Sequence, residues 1–165
     1  MNGIEVNTPC AHWQAQHGAI ADTATRAALA VLADQGMGPG DGDDAYEISI
    51  VLADDAFVRD LNRTWRNIDA PTNVLSFPAG DDEGHGPCLL GDVVLAFETV
   101  QREADAADKT VQDHLTHLII HGALHLLGFD HEAETEAIEM EALETTLLAQ
   151  LGIADPYRRA PNENG

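Results

Sequence analysis

The sequence predicts an α+β fold: a small mixed β-sheet, a central helix and flanking helices. Three observations carry this. Short strand-like segments are interspersed with longer helical ones, without the strict alternation of a doubly wound fold. One helical stretch, about Val111 to Leu127, is apolar over most of its circumference and so belongs in the middle of the molecule. A length of 165 residues, 44% of them apolar, suits one domain spanning 1–165 with a buried core.

Taken in order, Ile4 and Val6 alternate with polar neighbours and open a short strand. From Ala19 to Gln35 the chain is alanine-rich, and Ile20, Ala24, Ala27 and Val31 share one face of an amphipathic helix ended by Gly36. Met37 to Asp44 is a Gly/Asp loop, and Tyr46 to Ala53 has strand patterning. A helix capped by Asp54 or Asp55 runs to about Asn67, with its apolar residues Phe57, Leu61 and Trp65 four apart. Asp69 to Pro78 is a proline-opened turn followed by a short strand whose prolines suit a sheet edge. Ala79 to Pro87 is an acidic, glycine-rich loop, and Leu89 to Ala96 gives another strand.

In the central helix Leu115, Leu118, Ile119, Gly122 and Leu126 form one stripe, while Ile120, Leu124 and Leu127 add a second apolar side. A final helix from Glu134 to Leu151 directs Met140, Leu143, Leu147 and Leu151 inward and its glutamates outward. Residues 155–165 are polar and contain prolines, as in a frayed tail.

The formal charge of −21 repels anionic partners on average, so nucleic acid requires a local basic patch. The opening residues have neither a basic nor an apolar signal region, and no apolar run is long enough to span a bilayer, so the expected location is cytoplasmic. Cys10 and Cys88 lie far apart and outside any CxxC, as reduced apolar residues do.

The strongest chemical signal is His121-Gly-Ala-Leu-His125-Leu-Leu-Gly128-Phe-Asp130-His131. Histidines four apart on a helix project from one face and can share a metal ion. Gly128 can take positive φ and turn the chain so that His131 returns to the same point. His-x3-His-x2-Gly-x2-His is the ligand spacing of the long zinc-protease signature, but the glutamate that follows the first histidine there is here Gly122. Zinc on three protein nitrogens keeps a position open for water, whose pKa falls to about 7. The alternative is three satisfied core histidines.

His117, one turn before His121, can orient a ligand, move a proton or contact substrate, or merely fill the cleft mouth; the same holds for His114. Asp130 is either a partner of the third ligand or a turn residue. Arg59, Arg63 and Arg66 are three of only eight Lys and Arg residues and form a stripe on one helix, either phosphate-facing or simply solvated. His12, His17 and His85 read as surface residues.

The histidine segment fits the HGxLHLxGxDH signature of the YbeY family throughout, with Phe129 where many members have tyrosine, and the chain resembles that family. Leu61 to Arg66, Pro71 to Pro78 and Leu90 to Val94 support the resemblance, in family order, over about Tyr46 to Leu151. It implies a zincin-like fold and Zn²⁺, or a similar divalent ion, on His121, His125 and His131. It further implies that Arg66 is important for RNA cleavage, and His117 matches a histidine common in the family. The implied activity is a single-strand-specific endoribonuclease in ribosomal RNA maturation, including the 3′ end of the small-subunit RNA, and in ribosome quality control.

Two rivals compete. A zinc peptidase needs a glutamate where Gly122 stands. A non-catalytic ribosome-assembly factor would use the metal to fix a surface, and the acidic charge suits a basic ribosomal protein as partner.

Overall fold

The computed structural model describes residues 4–37, 46–79, 88–129, 134–154 and 156. Its elements are β1 (Ile4–Asn7), α1 (His12–His17), α2 (Ile20–Asp34), β2 (Tyr46–Ala53), α3 (Asp55–Arg66), β3 (Val74–Pro78), β4 (Cys88–Ala96), α4 (Phe97–Ala106), α5 (Val111–Leu126) and α6 (Glu134–Gln150). The sheet order is β1-β2-β4-β3; the β1-β2 and β2-β4 pairs are parallel and β3-β4 is antiparallel. The mixed sheet and the α+β class expected from the sequence are both found.

Side-chain alternation divides the sheet into two faces. Ile48, Ile50, Leu52, Val93 and Leu95 join the main core with residues of α2, α4, α5 and α6. Ala53, Leu75, Val94 and Ala96 form a smaller core beneath Val58 of α3. The two apolar sides read into α5 are buried, with Leu115, Ile119, Ile120 and Leu124 fully enclosed, except that Leu127 is half-buried. No helix among the described residues is long and apolar enough to cross a membrane.

Both prolines around β3 fit its place at the sheet edge, where a missing backbone N–H costs no ladder bond. Asp54 is the N-cap of α3, its carboxylate accepting from Phe57 N at 2.9 Å. Asp55 and Glu98 then lock α3 to α4. Glu98 accepts from Asp55 N at 2.9 Å, and Asp55 accepts from Thr99 N at 3.0 Å. Each helix thus satisfies an N-terminal amide of the other.

Several expectations are corrected. Helices α1 and α4 were not anticipated. The first holds fully buried Trp13, whose indole donates to Ala53 O at 2.8 Å and meets Phe97 edge-on. The second buries Phe97, Val100 and Ala104, a helical spacing that was legible. In α3 the buried residues are Val58 and Asn62; Phe57 and Trp65 are exposed. In α6 Met140 and Leu147 are buried as expected, but so is Glu144, whereas Leu143 and Leu151 are only half-buried. His12 is exposed, but His17 is half-buried and lies 2.9 Å from Gln101. His85 and the expected tail (apart from Pro156) lie outside the described residues.

Candidate active site

The end of α5 has a specific geometry. Gly128 adopts φ of 97°, Phe129 N donates to Leu124 O at 3.1 Å, and Gly128 N donates to His125 O at 3.0 Å. This crossed pair of bonds is a Schellman motif, and it ends the helix where the sequence placed the glycine. His131 and Asp130 lie beyond it, outside the described residues.

His117, His121 and His125 occupy one face of α5 and line an open cleft of about 550 Å³ between that helix and β3. Arg66, from the end of α3, lines the same cleft together with Asn73, Ser76 and Pro78. Four of the five residues that the family resemblance marks, Arg66, His117, His121 and His125, therefore line one cleft, although they come from two helices far apart in the chain.

His121 and His125 cross nearly perpendicular, at 81°, with their Nε2 atoms 3.1 Å apart. Two imidazoles on one tetrahedral zinc, each about 2.0–2.1 Å from the ion, place their nitrogens roughly this far apart. The other nitrogen of His121, Nδ1, lies 3.1 Å from Glu144 Oε2. Donation from Nδ1 to a carboxylate leaves Nε2 as the lone-pair nitrogen, the tautomer a metal requires. These donors fit a divalent metal. Among the described residues no set of three ligating side chains converges.

Glu144 is the residue the sequence reading missed. It is fully buried, and its second oxygen, Oε1, lies 2.7 Å from His117 Nε2. One carboxylate thus bridges His117 and the ligand His121. The signal was present: Met140, Glu144 and Leu147 share a helical face, so a glutamate on the apolar side of α6 marks a buried polar contact.

Gly122 faces the sheet. A Cβ there would come within 2.8 Å of Val93 Cγ1 and 2.9 Å of Ser76 Oγ. Ser76 Oγ donates to Gly122 O at 3.0 Å, tying β3 to the backbone of the metal-bearing helix. The position therefore needs glycine for packing, and a longer side chain there would point into the sheet.

The arginine stripe divides. Arg59 makes a bidentate pair with Asp69, at 2.8 and 3.2 Å, which holds the guanidinium pKa up and the Asp69 carboxyl down. Arg63 pairs with Asp60 at 2.8 Å. Arg66 makes no ion pair among the described residues and turns to the cleft. Beside the cleft, Glu103 meets His114 Nε2 at 2.9 Å and accepts from Asn73 Nδ2 at 3.0 Å. Burial lowers the His114 pKa, and the Glu103 contact opposes that shift.

A family described as "Endoribonuclease YbeY" matches residues 13–152. A Paramagnetospirillum magneticum protein named "Endoribonuclease YbeY" is 54% identical over 160 residues, covering 93% of this chain and 94% of that protein. Proteins of the same name from Bradyrhizobium sp. and Azorhizobium caulinodans are 51% and 57% identical, covering 88% and 84% of this chain and 86% and 84% of theirs. The solution structure of a Thermotoga maritima protein aligns with a TM-score of 0.56 at 19% identity, covering 94% of this chain and 99% of that one, which supports the fold. With a family match over most of its length and relatives above half identical, the chain belongs to the YbeY family.

Proposed function

We propose that this protein is a metal-dependent endoribonuclease that cleaves single-stranded segments of ribosomal RNA during maturation, including the 3′ end of small-subunit RNA, and serves ribosome quality control. The observation that carries this reading is the convergence of Arg66 with His117, His121 and His125 on one open cleft. An arginine lining the same cleft as a pair of metal-suited imidazoles suits a phosphodiester, because a guanidinium pairs with the non-bridging oxygens where negative charge grows.

His121 and His125, with His131 as the proposed third ligand, would hold the ion, for which zinc suits the imidazole donors. When bound, such an ion polarises a phosphoryl oxygen and lowers the pKa of water. The protein's own side chains do the rest. Arg66 binds the scissile phosphate and stabilises the charge that develops as the P–O bond breaks. Glu144 keeps His121 in its ligating tautomer. His117 is the proposed proton reservoir for the leaving oxygen, sharing a short contact with Glu144 at the cleft wall.

The packing of Gly122 supports a nuclease over a peptidase, since no glutamate base can be placed at that point without displacing Val93 or Ser76. The charge of −21 supports a second contact with the ribosome or a basic ribosomal protein, at a surface away from the cleft, and the proposed location is the cytoplasm.

The test uses a structured RNA with a single-stranded tail, offered to metal-free protein, zinc-restored protein and an Arg66→Ala variant. Cleavage confined to the tail, restored by zinc and strongly reduced in the variant, is expected. Absence of cleavage by fully metallated protein refutes the nuclease reading in favour of an assembly factor.

A further inference from the structure

On the α3 side of the sheet lies a second groove of about 480 Å³, walled by Phe57, Leu61, Trp65, Phe77 and Pro78, with Asp92 also among its lining residues. Trp65 is 69% exposed and Phe57 43%, so neither aromatic ring is needed to close the core. The groove and the cleft meet at the sheet edge, on either side of β3. Pro78 lines both, and Trp65 in the groove is followed directly by Arg66 in the cleft.

We propose that this groove is a nucleobase subsite, in which Trp65 stacks on the base of a nucleotide next to the phosphate held by Arg66. The inference rests on the endoribonuclease reading and deepens it by assigning what grips the substrate. The groove's chemistry selects a base over a phosphate. Its walls are apolar and aromatic, matching a π face. Among the described residues its one charged lining residue is Asp92, a type that repels phosphate and can accept from a base N–H.

The charge balance leads to the same place. A chain of charge −21 cannot hold RNA by broad counterion release, and Arg59 and Arg63 are already paired with aspartates. Beyond the phosphate contact of Arg66, affinity for the strand then draws on contacts that do not depend on charge, and base–aromatic stacking is one such contact. Such a subsite also accounts for single-strand preference. A base inside a duplex cannot be splayed onto an indole without unpairing and unstacking, whereas a single-stranded base can.

The experiment pairs protein and RNA changes in the zinc-loaded full chain. Short oligoribonucleotides carry an abasic ribose at each position in turn, keeping every phosphate, and kcat/KM is measured for the parent, Trp65→Ala and Trp65→Phe. Trp65 lies outside the core, so its replacement leaves folding intact. The expected result is one position, adjacent to the cleaved bond, where loss of the base costs the parent about tenfold. Trp65→Ala should lose a similar factor on intact RNA and nothing further on the abasic RNA, while Trp65→Phe retains most of the parent rate. If Trp65→Ala cleaves intact RNA like the parent, or suffers the full abasic loss as well, the subsite is refuted, the nuclease reading survives, and the groove passes to a protein partner. If the zinc-loaded parent cleaves no RNA, the nuclease reading fails and the subsite with it.

Discussion

Glu144 Oε2 lies 3.1 Å from His121 Nδ1, a contact in which a wholly buried carboxylate faces the back of a metal-suited imidazole. The other oxygen is committed to His117, so neither can rotate away without stranding a partner. Replacing Glu144 with Gln keeps the volume but offers one acceptor and one NH2 group where two acceptors stood. Zinc affinity, measured by competition with a chromophoric chelator, should fall about 10- to 100-fold. An unchanged affinity would show that Glu144 only fills the core.

Gly122→Ala should destabilise the fold, although alanine ordinarily favours a helix over glycine by about 1 kcal/mol. The new methyl group meets Val93 Cγ1 at 2.8 Å and Ser76 Oγ at 2.9 Å, and overpacking of this kind costs about 1–3 kcal/mol. A lower urea midpoint is the expected reading. A raised midpoint would mean that α5 and the sheet are free to part. Gly122→Glu should be worse still and should gain no peptidase activity.

Much of this geometry was legible because it is local. The four-residue spacing of His121 and His125 and the positive φ of Gly128 follow from helix geometry alone, and α5 ends where they require. The edge position of β3 followed from its prolines in the same way. Glu144 was not read because outward glutamates are the rule on an amphipathic helix, and only the histidines of a distant helix make an exception favourable. Phe57 and Trp65 misled in the opposite sense. Their spacing is that of a core stripe, but the face that packs on the sheet is one residue round, at Val58 and Asn62. Helix propensity and period cannot tell a buried aromatic face from an exposed one.

The division of the arginine stripe gives a graded expectation for RNA cleavage. Arg66→Ala should reduce kcat by about 10²–10³, the usual effect of removing a donor aimed at developing charge. Arg66→Lys should recover little, because an ammonium cannot reproduce the bidentate fork. Arg63→Ala should stay within about twofold of the parent, since its partner Asp60 is solvent-exposed and such pairs contribute little. Equal losses in Arg63→Ala and Arg66→Ala would mean that the whole stripe contacts RNA, contrary to the separation seen here.

His114 should make the fold sensitive to mild acid. Burial lowers its pKa from the ordinary 6.5, against the opposing pull of Glu103, while His117 and Lys109 nearby also disfavour its protonated form. The unfolded chain therefore takes up a proton near pH 6.5 that folded His114 still refuses. With more protons on the unfolded state, stability is fully present above about pH 6.5 and declines as pH falls through that value, by at most about 1.4 kcal/mol per pH unit for one site. His114→Gln removes the titrating group while keeping a donor for Glu103. Denaturation midpoints from pH 7.5 down to 5 should fall more steeply for the parent than for the variant. Parallel pH profiles in the two proteins would show that His114 is not the source of the acid sensitivity.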